Sequence, residues 1–196
     1  MNNSKNKIRQ HIRAERCALS LVQQNNAANQ VYEQVIHLPR YRFSQHIAFY
    51  LSAQNELNPE RILLEAHNAG KKCYLPVLHS QKIGTLCFLP YAPGDHLVAN
   101  RFGILEPVID DVKNHIPIWQ LDLVFVPLVA FDERLNRLGM GKGYYDRTFA
   151  FLKHSSTHKP YLVGLAYHFQ QVDQLSLEAH DIPLDVIVTE RRMLSS

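Results

Sequence analysis

Residues 121–131 read LDLVFVPLVAF, and their reading decides the fold. The run is apolar at successive positions rather than at every second one, so a strand built from it hides both faces, as in the middle of a parallel sheet. The residues that follow, DERLNRLGMGKGYYDR (132–147), place Gly139, Gly141 and Gly143 at alternate positions with Lys142 between two of them. In an open parallel sheet, ligands settle beyond the carboxyl ends of the strands, and a strand, a turn and a helix start in succession make an anion site. Glycines on alternate residues let backbone N–H groups approach phosphate oxygens, and Lys142 adds a cation where a helix beginning at Tyr144 is positive. The pattern is not GxxxxGK[ST], because Gly143 stands where the magnesium-binding Ser or Thr would be, and it is not GxGxxG. Spacing alone leaves two readings open: a polyphosphate cradle, or a flexible turn whose tyrosines cap the core. Asp146 likewise reads as a magnesium ligand or as the partner of Arg147 or a neighbouring lysine.

Outward from this stretch, strand and helix signals alternate. HIAFYL (46–51) is a compact apolar run suited to a buried strand. KCYLPVL (72–78) and TLCFLPY (85–91) are further strands, with Pro76 and Pro90 placing each at an edge or at its end. YLVGLAY (161–167) and DVIVTE (185–190) complete the set. Ser4 caps a basic helix running to about Cys17, and Ser20 with Gln23 forms the capping box of a second, to about His37, with Pro39 beyond it. Asn58, Pro59 and Glu60 start a helix over 59–69 that Gly70 stops. A helix over 144–153 follows the glycine turn. Residues 92–118 read as loop-rich, with GILEP (103–107) a turn between two short extended pieces. With no repeat or linker in view, the alternation predicts a three-layer α/β/α Rossmann-like single domain with a mostly parallel sheet.

Composition narrows the function. Hydrophobic residues are 46% and charged residues 20% of 196, ordinary values for a chain with one good core. The net charge of +3 is carried by scattered Lys and Arg, which argues against a nucleic-acid partner and fits an anionic small molecule. Cys17, Cys73 and Cys87 show no CxxC spacing, so neither a disulfide framework nor a zinc site is expected. Eleven histidines include no HExxH. The first twenty residues lack an apolar run of signal-peptide length, and no stretch approaches a membrane span. A soluble, cytoplasmic monomer with no membrane partner is the expectation.

VPLVAFDERLNRLGMGKGYYDR (126–147) resembles the signature of the 5-formyltetrahydrofolate cyclo-ligases, close to VPxxAFDxxxxRLGxGxGYYDR. The likeness extends to Lys5 and Arg9 in K-x-x-x-R spacing, YLSAQNEL (50–57), FGILEP (102–107) and HDIPLDVIVTE (180–190), and so spans nearly the whole chain. The resemblance implies cyclisation of 5-formyltetrahydrofolate to 5,10-methenyltetrahydrofolate, with ATP as co-substrate and Mg2+ as cofactor. In that chemistry the formyl oxygen attacks the terminal phosphate, the anilino nitrogen closes the ring, and phosphate leaves. It implies ATP contacts from Lys5, Arg9, Arg137, Leu138, Gly139, Met140, Gly141, Lys142, Gly143, Tyr144 and Tyr145, with Lys142, Arg137 and Tyr144 acting on the reacting groups. Leu51, Glu56 and Tyr144 match folate-contact positions, Glu56 accepting from the pterin's donor edge. Asp146 and Asp181 match magnesium-ligand positions, with Asp185 a nearby competitor, and Glu106 stands as a supporting anchor. From the residues alone, Lys5 and Arg9 also read as a solvated helix face, Glu56 as a surface carboxylate and Asp181 as a turn-former before Pro183. Asn58-Pro59 replaces the Asp-Thr type of helix start, and Leu128 fills a site commonly glycine. A non-catalytic sensor of a sugar phosphate or nucleotide on the same fold is the alternative.

Overall fold

The structure is a computed structural model that describes residues 2–108, 115–154 and 160–195. The part of the expected loop-rich stretch over 109–114 lies outside the described residues. Seven strands form one sheet: β1 (His46–Ala48), β2 (Lys72–Leu78), β3 (Leu86–Pro90), β6 (Leu123–Pro127), β9 (Tyr161–Leu165), β10 (Val186–Val188) and β11 (Met193–Ser195). Their order is β11-β10-β9-β6-β1-β2-β3. The five inner strands are mutually parallel, while β3 and β11 pair antiparallel at the two edges. The sheet is thus mostly parallel as expected, and β6 lies at its centre with Leu123, Val124, Phe125 and Val126 all fully buried.

The apolar run 121–131 does not stay in the sheet to its end. Pairing with β1 reaches only Val124, and the last pairing with β9 is Pro127 to Leu165. A proline donates no ladder bond, so the strand stops there. Leu128 and Val129 then leave the sheet, and the Gln170 side chain donates to both of their carbonyls, at 3.0 and 2.8 Å. β7 (Ala130–Phe131) and β8 (Arg137–Leu138) form a separate antiparallel hairpin. Its residues stay apolar because Val129, Ala130 and Leu138 are buried against Ile12 of α1 (Asn2–Ala18). Pro76 sits within β2, past the three residues that pair with β1, so its missing N–H interrupts no ladder on that side.

α2 (Leu21–Val35) begins at the expected capping box, Ser20 with Gln23. Pro39 opens the short α3 (Pro39–Phe43). α4 (Glu60–Asn68) starts where the Asn58 carboxamide oxygen accepts from the Glu60 amide at 3.0 Å. α2 and α4 pack on one face of the sheet through Val31, Val35, Ile62 and Leu63. α5 (Tyr144–Phe149), continued by a 3-10 turn over Ala150–Lys153, covers the other through Phe149. The expected helix over 144–153 is therefore helical along its length but tightens after its first six residues. The loop-rich stretch contains a small hairpin, β4 (Leu97–Ala99) with β5 (Leu105–Pro107), around the GILEP turn. Among the described residues, no helix is long and apolar enough to cross a membrane.

Candidate active site

The parallel strands all run the same way, so the segments after β1, β6, β9 and β10 gather at one end of the sheet. α1 lies across that end. Its Arg9 Nε donates to the Gly139 carbonyl at 3.0 Å, and Arg16, near its other end, comes within 3.7 Å of the Glu56 carboxylate. The glycine turn after β8 and the 51–57 segment after β1 thus share one helix as their cover.

The glycine turn is open to solvent at Met140, Gly141 and Lys142. Gly141 has φ of +93° and Gly143 of +62°, backbone that a residue with a Cβ adopts only at a cost. A side chain at either would also crowd an arginine tip: the added Cβ would lie 3.2 Å from Arg9 Nη2 at Gly141 and 2.9 Å from Arg147 Nη1 at Gly143, so each guanidinium would have to shift. Two arginines therefore press against the turn where glycine leaves room. Gly143 is the residue before α5, and no side chain among the described residues caps that helix, whose first turn, like any, has amides without intrahelical acceptors. Lys142 does not hang free: its ammonium sits 3.5 Å over the Phe102 ring, at the tip of the β4–β5 hairpin. Arg101 of the same tip donates to the Tyr144 hydroxyl at 3.0 Å. Glu106 ties that hairpin to the end of β2 by accepting from the Leu78 amide at 3.4 Å, and accepts within the hairpin from Asn100 at 3.0 Å.

Arg137 and Asp146 form a pair at 2.9 Å with side chains only 4% and 14% exposed. Arg137 therefore faces inward from β8 instead of standing in the open turn, and its Nε has no hydrogen-bond partner among the described residues. Among the described residues neither Arg147 nor a lysine pairs with Asp146. Arg147 instead donates to the carbonyls of Gly84 and Lys142, at 2.7 and 2.6 Å. The same Asp146 oxygen that meets Arg137 accepts from the Ile182 amide at 3.2 Å, which brings the neighbouring Asp181 to the same corner. Asp181 accepts from the Glu178 amide at 2.8 Å, the turn-forming role, and lies 4.0 Å from the Lys5 ammonium. Lys5 itself bonds Glu178 at 2.9 Å. Asp185 accepts from the Leu162 amide at 2.7 Å, at the opposite, amino end of β9 and β10. Among the described residues no group of three or more His, Cys, Asp or Glu is arranged to hold a metal ion.

On the other side of α1, Glu56 is almost fully enclosed, with an 11% exposed side chain. Burial pushes its carboxyl above the ordinary value of 4.5, and the Ala53 amide bond and the Arg16 charge only partly offset that. Burial likewise pushes the Tyr145 phenol far up, with the Glu56 charge adding to the effect, so Tyr145 keeps its proton. Leu51 packs beside these groups against the core that contains Phe49 and Tyr50. Gln54 and Asn55 hold φ of +52° and +56°, left-handed backbone that turns the 51–57 segment back so that Glu56 points inward. Two concavities border other residues: an open one of about 640 Å³ at His168, Gln171, Arg191 and Arg192, and one of about 210 Å³ at Leu152, Ile182, Pro183 and Asp185. Neither is lined by the 138–145 segment.

Three supports of the site have no role legible in the sequence, although Asp132, one of them, stands within the VPxxAFDxxxxRLGxGxGYYDR pattern. Arg16 is one, legible only as a residue seven positions after Arg9 on the same helix face. Asp132 is another: it is 1% exposed and accepts from the amides of Arg134, Asn136 and Leu175, fixing the loop before the glycine turn. Gln170, also 1% exposed, is the third.

The 5-formyltetrahydrofolate cyclo-ligase family profile matches residues 1–190. The 5-formyltetrahydrofolate cyclo-ligase of Escherichia coli K12 is 40% identical over 182 residues, covering 93% of this chain and 98% of its own. That of Haemophilus influenzae is 40% identical over 190 residues, 96% of this chain and all of its own. The NMR structure of Aquifex aeolicus 5,10-methenyltetrahydrofolate synthetase superimposes with a TM-score of 0.80 at 31% identity, over 97% of this chain and 92% of that one. The α/β arrangement, the glycine turn under α1 and these relatives agree, and the chain belongs to the 5-formyltetrahydrofolate cyclo-ligase family.

Proposed function

We propose that this protein uses ATP and magnesium to cyclise 5-formyltetrahydrofolate to 5,10-methenyltetrahydrofolate, releasing ADP and phosphate. The observation that carries the reading is the seat of Arg9, which reaches from α1 to the Gly139 carbonyl 130 residues away and presses on Gly141. A cation is thereby held beside a glycine turn whose following helix start is uncapped. That is an arrangement for phosphate oxygens. Lys142 moves from the Phe102 ring onto the terminal phosphate once nucleotide offers it a full charge, and Lys5 approaches from the α1 side. Phosphoryl transfer asks the protein chiefly to position the acceptor and to neutralise charge on the moving group. The formyl oxygen takes the phosphoryl group and ADP departs. The anilino nitrogen then adds to the formyl carbon and gives up its proton to water, and the C–O bond breaks with phosphate as the leaving group. An amide oxygen is a poor leaving group, which is why it is phosphorylated first.

Asp146 and Asp181 would hold the magnesium ion. The fit rests on Asp146: its Oδ1 carries both hydrogen bonds, from Arg137 and Ile182, and its Oδ2 has none among the described residues. Magnesium takes one or two carboxylates and completes its shell with phosphate and water oxygens, so two aspartates suffice. When bound it neutralises phosphate charge. Arg137 acts through Asp146, fixing its carboxylate, while Tyr144 and Tyr145 face the reacting end and burial keeps the proton on Tyr145. Glu56 accepts from the pterin's donor edge, with Leu51 against the ring. Three unpaired cysteines, two of them buried, suit a reducing cytoplasm.

The test follows the near-ultraviolet absorbance of the methenyl product with purified protein, 5-formyltetrahydrofolate and MgATP. Product is expected only when all components are present. Absence of an ATP-dependent signal rejects the proposal, and calorimetry that finds nucleotide bound but never consumed would replace it with a sensor.

A further inference from the structure

Arg16 is the feature that the proposed chemistry leaves unexplained. It lies in the last turn of α1, where a cation ordinarily faces water and the helix dipole. Here it is 1% exposed, and its Nε and Nη1 are buried with no hydrogen-bond partner among the described residues. A guanidinium carries five donors in a rigid fork, and burying it without acceptors is costly. Its nearest charge, Glu56 Oε1, stands at 3.7 Å, an ion pair beyond hydrogen-bond reach. The other Glu56 oxygen accepts from the Ala53 amide at 3.2 Å, which aims the carboxylate. The Tyr167 hydroxyl, close enough to feel the Arg16 charge, is also buried and without a partner. Tyr50, by contrast, is satisfied by the Leu57 carbonyl at 2.6 Å. Beside Glu56, then, the unfilled bonds belong to Arg16 and Tyr167, with His168 Nδ1 next along the chain and Arg137 Nε the other such atoms among the described residues. Asn55 bonds the Arg16 carbonyl at 3.2 Å, so the helix end is pinned to the turn that leads to Glu56.

Two groups that bind neighbouring atoms of one ring edge stand side by side and spare their hydrogen bonds for the ring. Arg16 and Glu56 stand in that relation through Arg16 Nε and Nη1 and through Glu56 Oε1, the Glu56 oxygen that the Ala53 amide does not take. A pterin presents such an edge: the 2-amino group and N3–H donate, and the adjacent 4-oxo group accepts. Resting on the folate reading above, we propose that Arg16 is a substrate-binding residue that donates to the pterin 4-oxo group beside the donors taken by Glu56. The pair then selects 4-oxo pterins against 4-amino ones, which would set a donor against the Arg16 donors. Because Glu56 retains some exposure, the ring reaches the pair past the 51–55 turn.

The experiment compares binding of 5-formyltetrahydrofolate with that of its 4-amino-4-deoxy analogue, by calorimetry, in wild-type protein and Arg16→Met. Wild-type protein is expected to prefer the 4-oxo ligand by at least about tenfold, since a site built to bond a polar group rejects a ligand that leaves it unpaired. Arg16→Met is expected to shrink the preference to within about threefold, with ATP binding unchanged. An equal loss for both ligands, or an undiminished preference, overturns the proposal by reducing Arg16 to packing. Should Arg16→Met fail to fold, Arg16→Lys carries the test, with an intermediate preference expected and an unchanged one overturning it. Wild-type protein that binds neither ligand would sink the folate reading itself, a result separate from a preference that ignores Arg16.

Discussion

Alanine at position 141 would place a methyl group 3.2 Å from the Arg9 guanidinium and demand φ of +93° from a residue with a Cβ. Backbone held in so sparse a region costs about 1–3 kcal/mol. The turn is exposed and followed by an uncapped helix start, so it has two ways to respond. It can keep its shape and lose stability, or it can flatten and lose the convergence of its amides. For a chain of this size the first course lowers Tm by about 2–4 °C per kcal/mol, or about 2–12 °C in all. The second raises KM for ATP by about 5- to 150-fold, since 1.4 kcal/mol is a factor of about ten. The two losses draw on the same strain, so a variant near one limit should show little of the other. Gly94→Ala is the control: φ there is +99°, yet nothing lies within 4 Å of the added Cβ. It should lower Tm and leave ATP kinetics alone. Thermal melts and initial rates against ATP settle the matter. Gly141→Ala with unchanged Tm and unchanged KM would refute the claim that this turn holds phosphate in its observed shape, and so would an equal rise in KM for Gly94→Ala.

Lys142→Ala is expected to lower kcat by more than about tenfold, at least about 1.4 kcal/mol of transition-state stabilisation, with folate affinity within about twofold. Stopped-flow single turnovers would show it, and normal rates would take Lys142 out of the reaction. Asp146→Ala strands the buried Arg137 guanidinium and should cost about 3–5 kcal/mol in denaturant unfolding, because one partner of an enclosed pair is removed. Asp146→Asn keeps an acceptor, should unfold nearer the wild type, and should need more magnesium for half-maximal rate. Glu56 supplies a pH test. Its carboxyl is raised by burial, so the folded state favours the protonated form, and stability present at low pH declines as pH rises through the folded value. Glu56→Gln should therefore gain stability relative to wild type between acid and neutral pH. Wild-type folate affinity should fall with acidification sooner than an ordinary carboxylate of 4.5 allows, and Glu56→Gln should lose that dependence. A flat wild-type profile from neutral down to ordinary carboxylate pH would contradict the assignment.

Much of the fold is legible because local chemistry and tertiary role coincide. Ser20 with Gln23 reads as a capping box and forms one, and Asn58 before Glu60 reads as a helix start and bonds as one. The doubly buried run after residue 121 finds the sheet centre because no other place hides both faces. Hydrophobicity cannot tell where that strand ends, since Val129 and Ala130 are as buried under α1 as Phe125 is in the sheet. β11 escapes notice because Met193 and Ser195 are exposed and its pairing is with β10 alone. For the site, the glycine turn, Arg9 and the Asp146–Asp181 corner are written in short spacings or in a family signature. The inward turn of Arg137 and the burial of Arg16 are not, because each depends on a partner far along the chain.

One consequence follows from α1 lying over both halves of the site. Arg9 and Arg16 are seven residues apart, about 10.5 Å along the axis and nearly in line. On the proposed chemistry the helix would work as a caliper whose jaws fix how far the outermost phosphate stands from the ring that must receive it. Inserting a single residue between them would swing one jaw by about 100°, leaving each half able to hold its ligand but unable to bring the two within bonding distance.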